Sequence, residues 1–178
     1  MTLAGRNYAT WAVPTYSVNI GEVGVNCYGR AVDFSTGASG TWPTADLAIS
    51  QPVRIKTRVV VTKLYAGVSI SSGNVDIGLY DAGGTLLVSK GTAAATTSYS
   101  ADITDTTVGP GLFYIALVAD NTTLQCVFDN DVAPMYATAG VMTQQLGAGA
   151  ALPSSATWTV PQTLAYVPEV AVFLGTIA

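Results

Sequence analysis

Short apolar runs separated by Gly, Asp, Asn and Pro fill the chain from Asn74 to Thr123. In Asn74-Val75-Asp76-Ile77-Gly78-Leu79-Tyr80, the residues Val75, Ile77 and Leu79 fall on one side and Asn74, Asp76 and Tyr80 on the other. That two-residue period predicts a strand with one buried face. Asp81-Ala82-Gly83-Gly84 follows as a hairpin loop, its glycines free to take positive φ. Gly109-Pro110-Gly111 precedes a strand on which Phe113, Ile115 and Leu117 share a face, and Asp120-Asn121 turns it into a run from Leu124 to Phe128. Arg54 to Tyr65, rich in Val and Thr, reads as one long strand whose alternation slips at Val59-Val60-Val61. A closing strand from Ala165 to Leu174 places Val170, Val172 and Leu174 together.

No segment carries a sustained helical period with caps, so the predicted fold is all-β. About eight strand-like segments favour a two-sheet antiparallel β-sandwich of jelly-roll type. Residues 1–50 have an irregular texture and read as an amino-terminal extension or arm, with residues 51–178 forming the sandwich. Residues 134–155, rich in Ala and Gly, read as a long loop, and a loop of that length in a compact domain usually serves binding or assembly, or moves.

Composition adds a second constraint. The 178 residues suit one domain, yet only 10% are charged against about 25% in typical soluble proteins, while 49% are hydrophobic. Such a weakly charged surface resists association poorly, which points to a component of an assembly. The net charge of −4 gives no reason to expect nucleic-acid binding. No apolar run reaches membrane-spanning length, and the amino terminus lacks a secretory pattern. Arg54, Lys56, Arg58 and Lys63 nevertheless cluster, the first three alternating with Val53, Ile55 and Thr57. On one strand face they would form either a patch for an acidic partner or a solvated surface that discourages edge pairing.

Candidate chemistry is sparse. With no histidine, Ser-His-Asp and Cys-His catalysis are excluded, as are His-containing zinc sites. No phosphate-binding glycine loop appears. Asp81, Asp102, Asp105, Asp120, Asp129 and Asp131 sit where turns are expected, and turn hydrogen bonding explains them more simply than paired-carboxylate catalysis or calcium ligation. Cys27 and Cys126 lack metal-ligand spacing, and Cys126, alternating with Leu124 and Phe128, reads as a buried free thiol. Asn121-Thr122-Thr123 fits a glycosylation sequon without a secretory context. Trp42, Trp158 and Tyr80 are the candidates for stacking on sugar rings, the plainer reading being that the tryptophans cover the ends of the core and Tyr80 covers a second layer or a subunit contact.

Trp42-Pro43-Thr44-Ala45-Asp46, the 54–65 run, Asn74 to Asp81 with its glycine turn, Asp102-Ile103-Thr104-Asp105, Gly109 to Leu117 and Ala165-Tyr166-Val167-Pro168 form a series. Over roughly residues 42–175 it resembles a group of tailed-bacteriophage virion proteins with a jelly-roll β-sandwich. These motifs are strand-and-turn signatures and carry no catalytic residue. The resemblance implies a capsid decoration (cement) protein acting through passive contacts with the major capsid protein or other virion proteins. A homo-oligomer, a trimer first, would be made in the host cytoplasm and end in the virion. It implies no enzyme activity and no cofactor. The alternative it implies is a carbohydrate-binding head- or tail-fibre module for host attachment. The residue pattern itself offers Trp42, Tyr80, Arg54, Lys56 and Arg58 as the partner or glycan contacts.

Overall fold

The computed structural model describes residues 17–19, 26–29, 38–55, 57–129, 141–160 and 167–175. Among them there is no helix, and every strand pairing is antiparallel. The strands are β1 (Ser17–Asn19), β2 (Asn26–Gly29), β3 (Ala38–Thr41), β4 (Leu47–Ile55), β5 (Val59–Ala66), β6 (Val68–Ile70), β7 (Asn74–Asp81) and β8 (Leu86–Ser89). They continue with β9 (Ala93–Ala94), β10 (Tyr99–Val108), β11 (Gly111–Ala119), β12 (Gln125–Asp129), β13 (Met142–Gln145), β14 (Val167–Pro168) and β15 (Val170–Gly175).

One sheet has the order β1-β2-β15-β5-β10. A second has the order β13-β4-β11-β7-β8, with β9 also paired to β7. Their facing sides enclose the main core, which joins Ile49, Val53, Ile77, Leu117, Leu64 and Val172 among others. Burying each such aliphatic side chain contributes about 2 kcal/mol. The sandwich therefore follows from strict odd–even patterning: Ile115 and Leu117 on β11 lie opposite Leu79 and Ile77 on β7.

A small third sheet, β14-β12-β3 with β6 on β12, closes one corner. Gly67 separates β5 from β6, and Glu169 separates β14 from β15, so two neighbouring strands change sheets at one level. Gly67 N donates to Glu169 O (2.9 Å), Glu169 N to Val127 O (3.0 Å) and Val127 N to Gly67 O (2.6 Å). A Cβ on Gly67 would sit 3.2 Å from that of Val127 and 3.3 Å from that of Glu169, so the close approach itself favours glycine. Inside the sandwich, the Gln51 amide donates to the Pro168 carbonyl, tying β4 to β14.

Three expectations are corrected. The 54–65 run is not one strand: β4 ends at Ile55 in one sheet and β5 begins at Val59 in the other. Val53, Ile55, Val59 and Val61 are all buried, so the odd-numbered positions stay inward on both sides of the corner and the alternation conceals it. The boundary at residue 50 falls inside β4, and β3 and Trp42 are already part of the folded body, because short strands between Gly and Ser have little periodic signature. The 134–155 segment is not all loop: β13 pairs with β4 through Met142↔Ser50 to Gln145↔Leu47.

Candidate functional site

Residues after β13 build the most elaborate feature of the molecule. Residues 146–158 leave β13, cross the outward face of the β4-β11-β7-β8 sheet and return, Thr159 and Thr143 exchanging backbone hydrogen bonds (2.8 and 2.9 Å). A surface segment of this length with adjacent ends is an Ω-loop. Here it serves as a cover. Its Ala150 and Leu152 pack on Ala48, Tyr80, Ala116 and Val118 of the sheet as a second apolar cluster.

The cover is pinned at several points. Asp46, at the entry to β4, has φ of 60°, and its carboxylate Oδ1 accepts from Gly149 N (3.0 Å) and Ala150 N (2.9 Å). Thr92 Oγ1 donates to the Ala150 carbonyl (3.1 Å). The Tyr80 hydroxyl donates to Pro153 O (2.8 Å), and the Trp158 ring stands edge-on to Tyr80 with centroids 5.2 Å apart. Leu86 N donates to Ser154 O and Ala156 N to Gly84 O, fixing the far end against the β7–β8 hairpin. At Gly84, with φ of +84°, a Cβ would lie 2.7 Å from the Ala156 carbonyl oxygen. Ala150 itself is left-handed (φ 48°), a conformation costing about 1–2 kcal/mol that these contacts hold in place.

Asp76 lies under the cover with 2% exposure. Its Oδ2 accepts from Leu152 N (3.0 Å), while Oδ1 and, nearer the surface, Trp158 Nε1 are buried without a hydrogen-bond partner. Burial raises the Asp76 carboxyl above the usual carboxylate range, and the pull of the Leu152, Gly91 and Ile77 amides and the Ser89 hydroxyl offsets only part of this. Burial also raises the Tyr80 hydroxyl, with the Asp76 charge adding to it. Sequence reasoning missed Asp76. The available signal was a carboxylate sharing a strand face with Gly78 and Tyr80, which leaves room for something to pack there.

The predicted site residues are not brought together. Trp42 is 1% exposed in the main core, its indole N–H donating to Leu47 O (3.1 Å). Tyr80 is 0% exposed beneath the cover. Neither offers a face to a sugar ring, so both glycan contacts are corrected to core positions. Tyr80 covers a second layer, which also shows that β7 is buried on both faces. Arg54 and Arg58 are exposed on either side of the corner, Arg54 at the end of β4 and Arg58 just before β5; Lys56 lies outside the described residues. They do not share one strand face. Lys63 belongs to β5 and forms an exposed ion pair with Asp102 of β10 (2.9 Å).

The aspartates divide by role. Asp81 Oδ1 accepts from Gly83 N and Thr85 N within its hairpin, the expected turn chemistry. Asp120 accepts from Asn74 N (2.9 Å) and the Asn74 and Asn121 amides (both 2.7 Å). Burial alone would raise its carboxyl, but these donors together hold it below the ordinary value. Asp102 and Asp105 lie within β10 beside its bulge and not in a turn, and Lys63 holds the Asp102 carboxyl down. Of Asp129-Asn130-Asp131, only the backbone of Asp129 is described. Among the described residues no three His, Cys, Asp or Glu side chains converge as a metal site. The Asn121 amide donates to Ser72 O and Asp120 Oδ1, and its oxygen accepts from Thr123 N and Leu124 N, so the sequon side chain is a structural tie between loops. Cys126 is buried and free, and burial pushes its thiol up to about 12.

Comparisons of the chain with protein-family models, with curated proteins and with solved structures return no match.

Proposed function

We propose that the chain is a bacteriophage virion structural protein of the jelly-roll group, decorating the capsid exterior and stabilising it through protein–protein contacts. One observation carries the reading: among the described residues, the buried or turn-forming carboxylates, Tyr80 and the cysteine thiol are engaged in holding the framework. Asp46, Asp81 and Asp120 hold backbone amides, Tyr80 and Asp76 hold the cover, and Cys126 is sealed in the core. What remains outward is sparse in charge, with Arg54 and Arg58 at the sheet-to-sheet corner as partner contacts. Many weak contacts repeated by particle symmetry would suffice for binding. A homo-oligomer, a trimer first, with the major capsid protein as partner completes the reading. Burial of Trp42 and Tyr80 removes the residues on which the host-glycan alternative stood.

The test is co-sedimentation of the purified chain with particles assembled in its absence. Saturable pelleting, weakened by Arg54→Glu with Arg58→Glu, is the expected result. A chain that stays in the supernatant at every particle concentration overturns the proposal.

A further inference from the structure

The cover decides whether one carboxyl group meets water. Asp76 Oδ2 is held by the Leu152 amide of the cover, and the Gly91 and Ile77 amides and the Ser89 hydroxyl draw on the carboxylate from β7 and the β8 side. Oδ1 completes no hydrogen bond of normal geometry, and the group is almost wholly enclosed. An ionised carboxylate so placed is destabilised relative to one in water. Lifting the cover would solvate it and remove that penalty.

We propose that the 146–158 cover is a pH-gated lid, closed most firmly over protonated Asp76 and loosened when Asp76 ionises, baring the Ala48–Tyr80–Val118 face. The sign follows from linkage. A carboxyl that binds its proton more tightly when covered favours the closed state fully below its ordinary value of 3.8, and that advantage is lost as pH rises through the covered value. The raised direction of the Asp76 carboxyl agrees with this geometry.

Neighbouring groups do not reverse the effect. Tyr80 on β7 and Tyr99 on β10 feel the Asp76 charge, and both hydroxyls are raised, so they stay neutral throughout the window. Val118 lies opposite on β11. The β8 side presents Ser89, with Lys90 exposed beyond it. The cover itself contributes Leu152, Pro153 and Trp158, none of them charged. Asp46 is the other described carboxylate bonded to the cover; it is half-buried and accepts from Gly149 and Ala150, the latter two residues before Leu152.

Amide hydrogen exchange on the full chain from about pH 3, below the ordinary value of 3.8, to about pH 8, corrected for intrinsic chemistry, tests the lid. Protection of the Ala150 and Leu152 amides should fall as pH rises, while β5 and β15 stay constant. Asp76→Asn keeps an acceptor for Leu152 but cannot ionise, so its cover should lose the pH trend. Tyr80→Phe should lower cover protection at every pH and keep the trend, which supplies a second variant if Asp76→Asn does not fold. Asp46→Asn should likewise retain the trend. Flat or rising cover protection in the unmodified chain, or an unchanged trend in Asp76→Asn, overturns the proposal.

Discussion

Replacing Gly73 by alanine tests how the loops at one end of the sandwich are locked. Gly73 has φ of +61°, and an added Cβ would fall 1.9 Å from Asn121 Nδ2 and 2.2 Å from Asp120 Oδ1. Neither atom is free to retreat. Asn121 Nδ2 is bonded to Ser72 O (3.0 Å) and to Asp120 Oδ1 (2.7 Å), and Asp120 Oδ1 also accepts from Asn74 N (2.9 Å). The left-handed backbone costs alanine about 1 kcal/mol. The three displaced hydrogen bonds add about 1 kcal/mol each. The expected loss is about 4 kcal/mol, or roughly 8–16 °C in Tm for a chain of this size. Gly91→Ala is the matched control, with φ of +74° but nothing within 4 Å of the added Cβ, so only the backbone term of about 1 kcal/mol applies. Urea unfolding followed by tryptophan fluorescence, with m-values compared, measures both. Equal losses for the two variants would refute the steric reasoning.

Three further outcomes follow from the same interactions. The buried Cys126 thiol, raised to about 12, should resist alkylation in the native chain near pH 8 and react on denaturation, as read by peptide mass after digestion. Asp120 is held below its ordinary value, so its contribution is present above that value and disappears as pH falls through the lowered one. Asp120→Asn should accordingly flatten the acid limb of the urea midpoint against pH; an unchanged limb would exclude Asp120 as its source. Gln51→Leu removes the amide that satisfies the Pro168 carbonyl inside the sandwich and should lower stability by about 1–3 kcal/mol, whereas a neutral substitution would show that tie to be dispensable.

The strands that were legible in the sequence are those with one strict parity and glycine or aspartate at their ends. The β7–β8 hairpin and β11 are of this kind, and Phe113, Ile115 and Leu117 share the core as their spacing requires. The 165–174 run keeps Val170, Val172 and Leu174 buried, but Glu169 divides its described part between two sheets. The corner between β4 and β5 was hidden because inward positions keep the same parity through it. The cover was hidden for a different reason. Its hold depends on contacts between residues far apart in the chain: Leu152 with Asp76 across 76 positions, and Ala150 with Asp46 across 104. Its own sequence, rich in Ala and Gly, has no period to announce which face it packs on. A polar residue beneath such a segment looks solvent-facing until the segment is in place, as Asp76 does.

The central functional claim is that the chain is a repeated exterior component of a virus particle. Imaging purified particles with an antibody against the chain, together with its copy number from quantitative mass spectrometry of the same particles, tests this most directly. The account predicts label distributed over the capsid surface and a copy number that is a fixed multiple set by particle symmetry. Particles carrying no label, with the chain recovered only from the surrounding lysate, would contradict it.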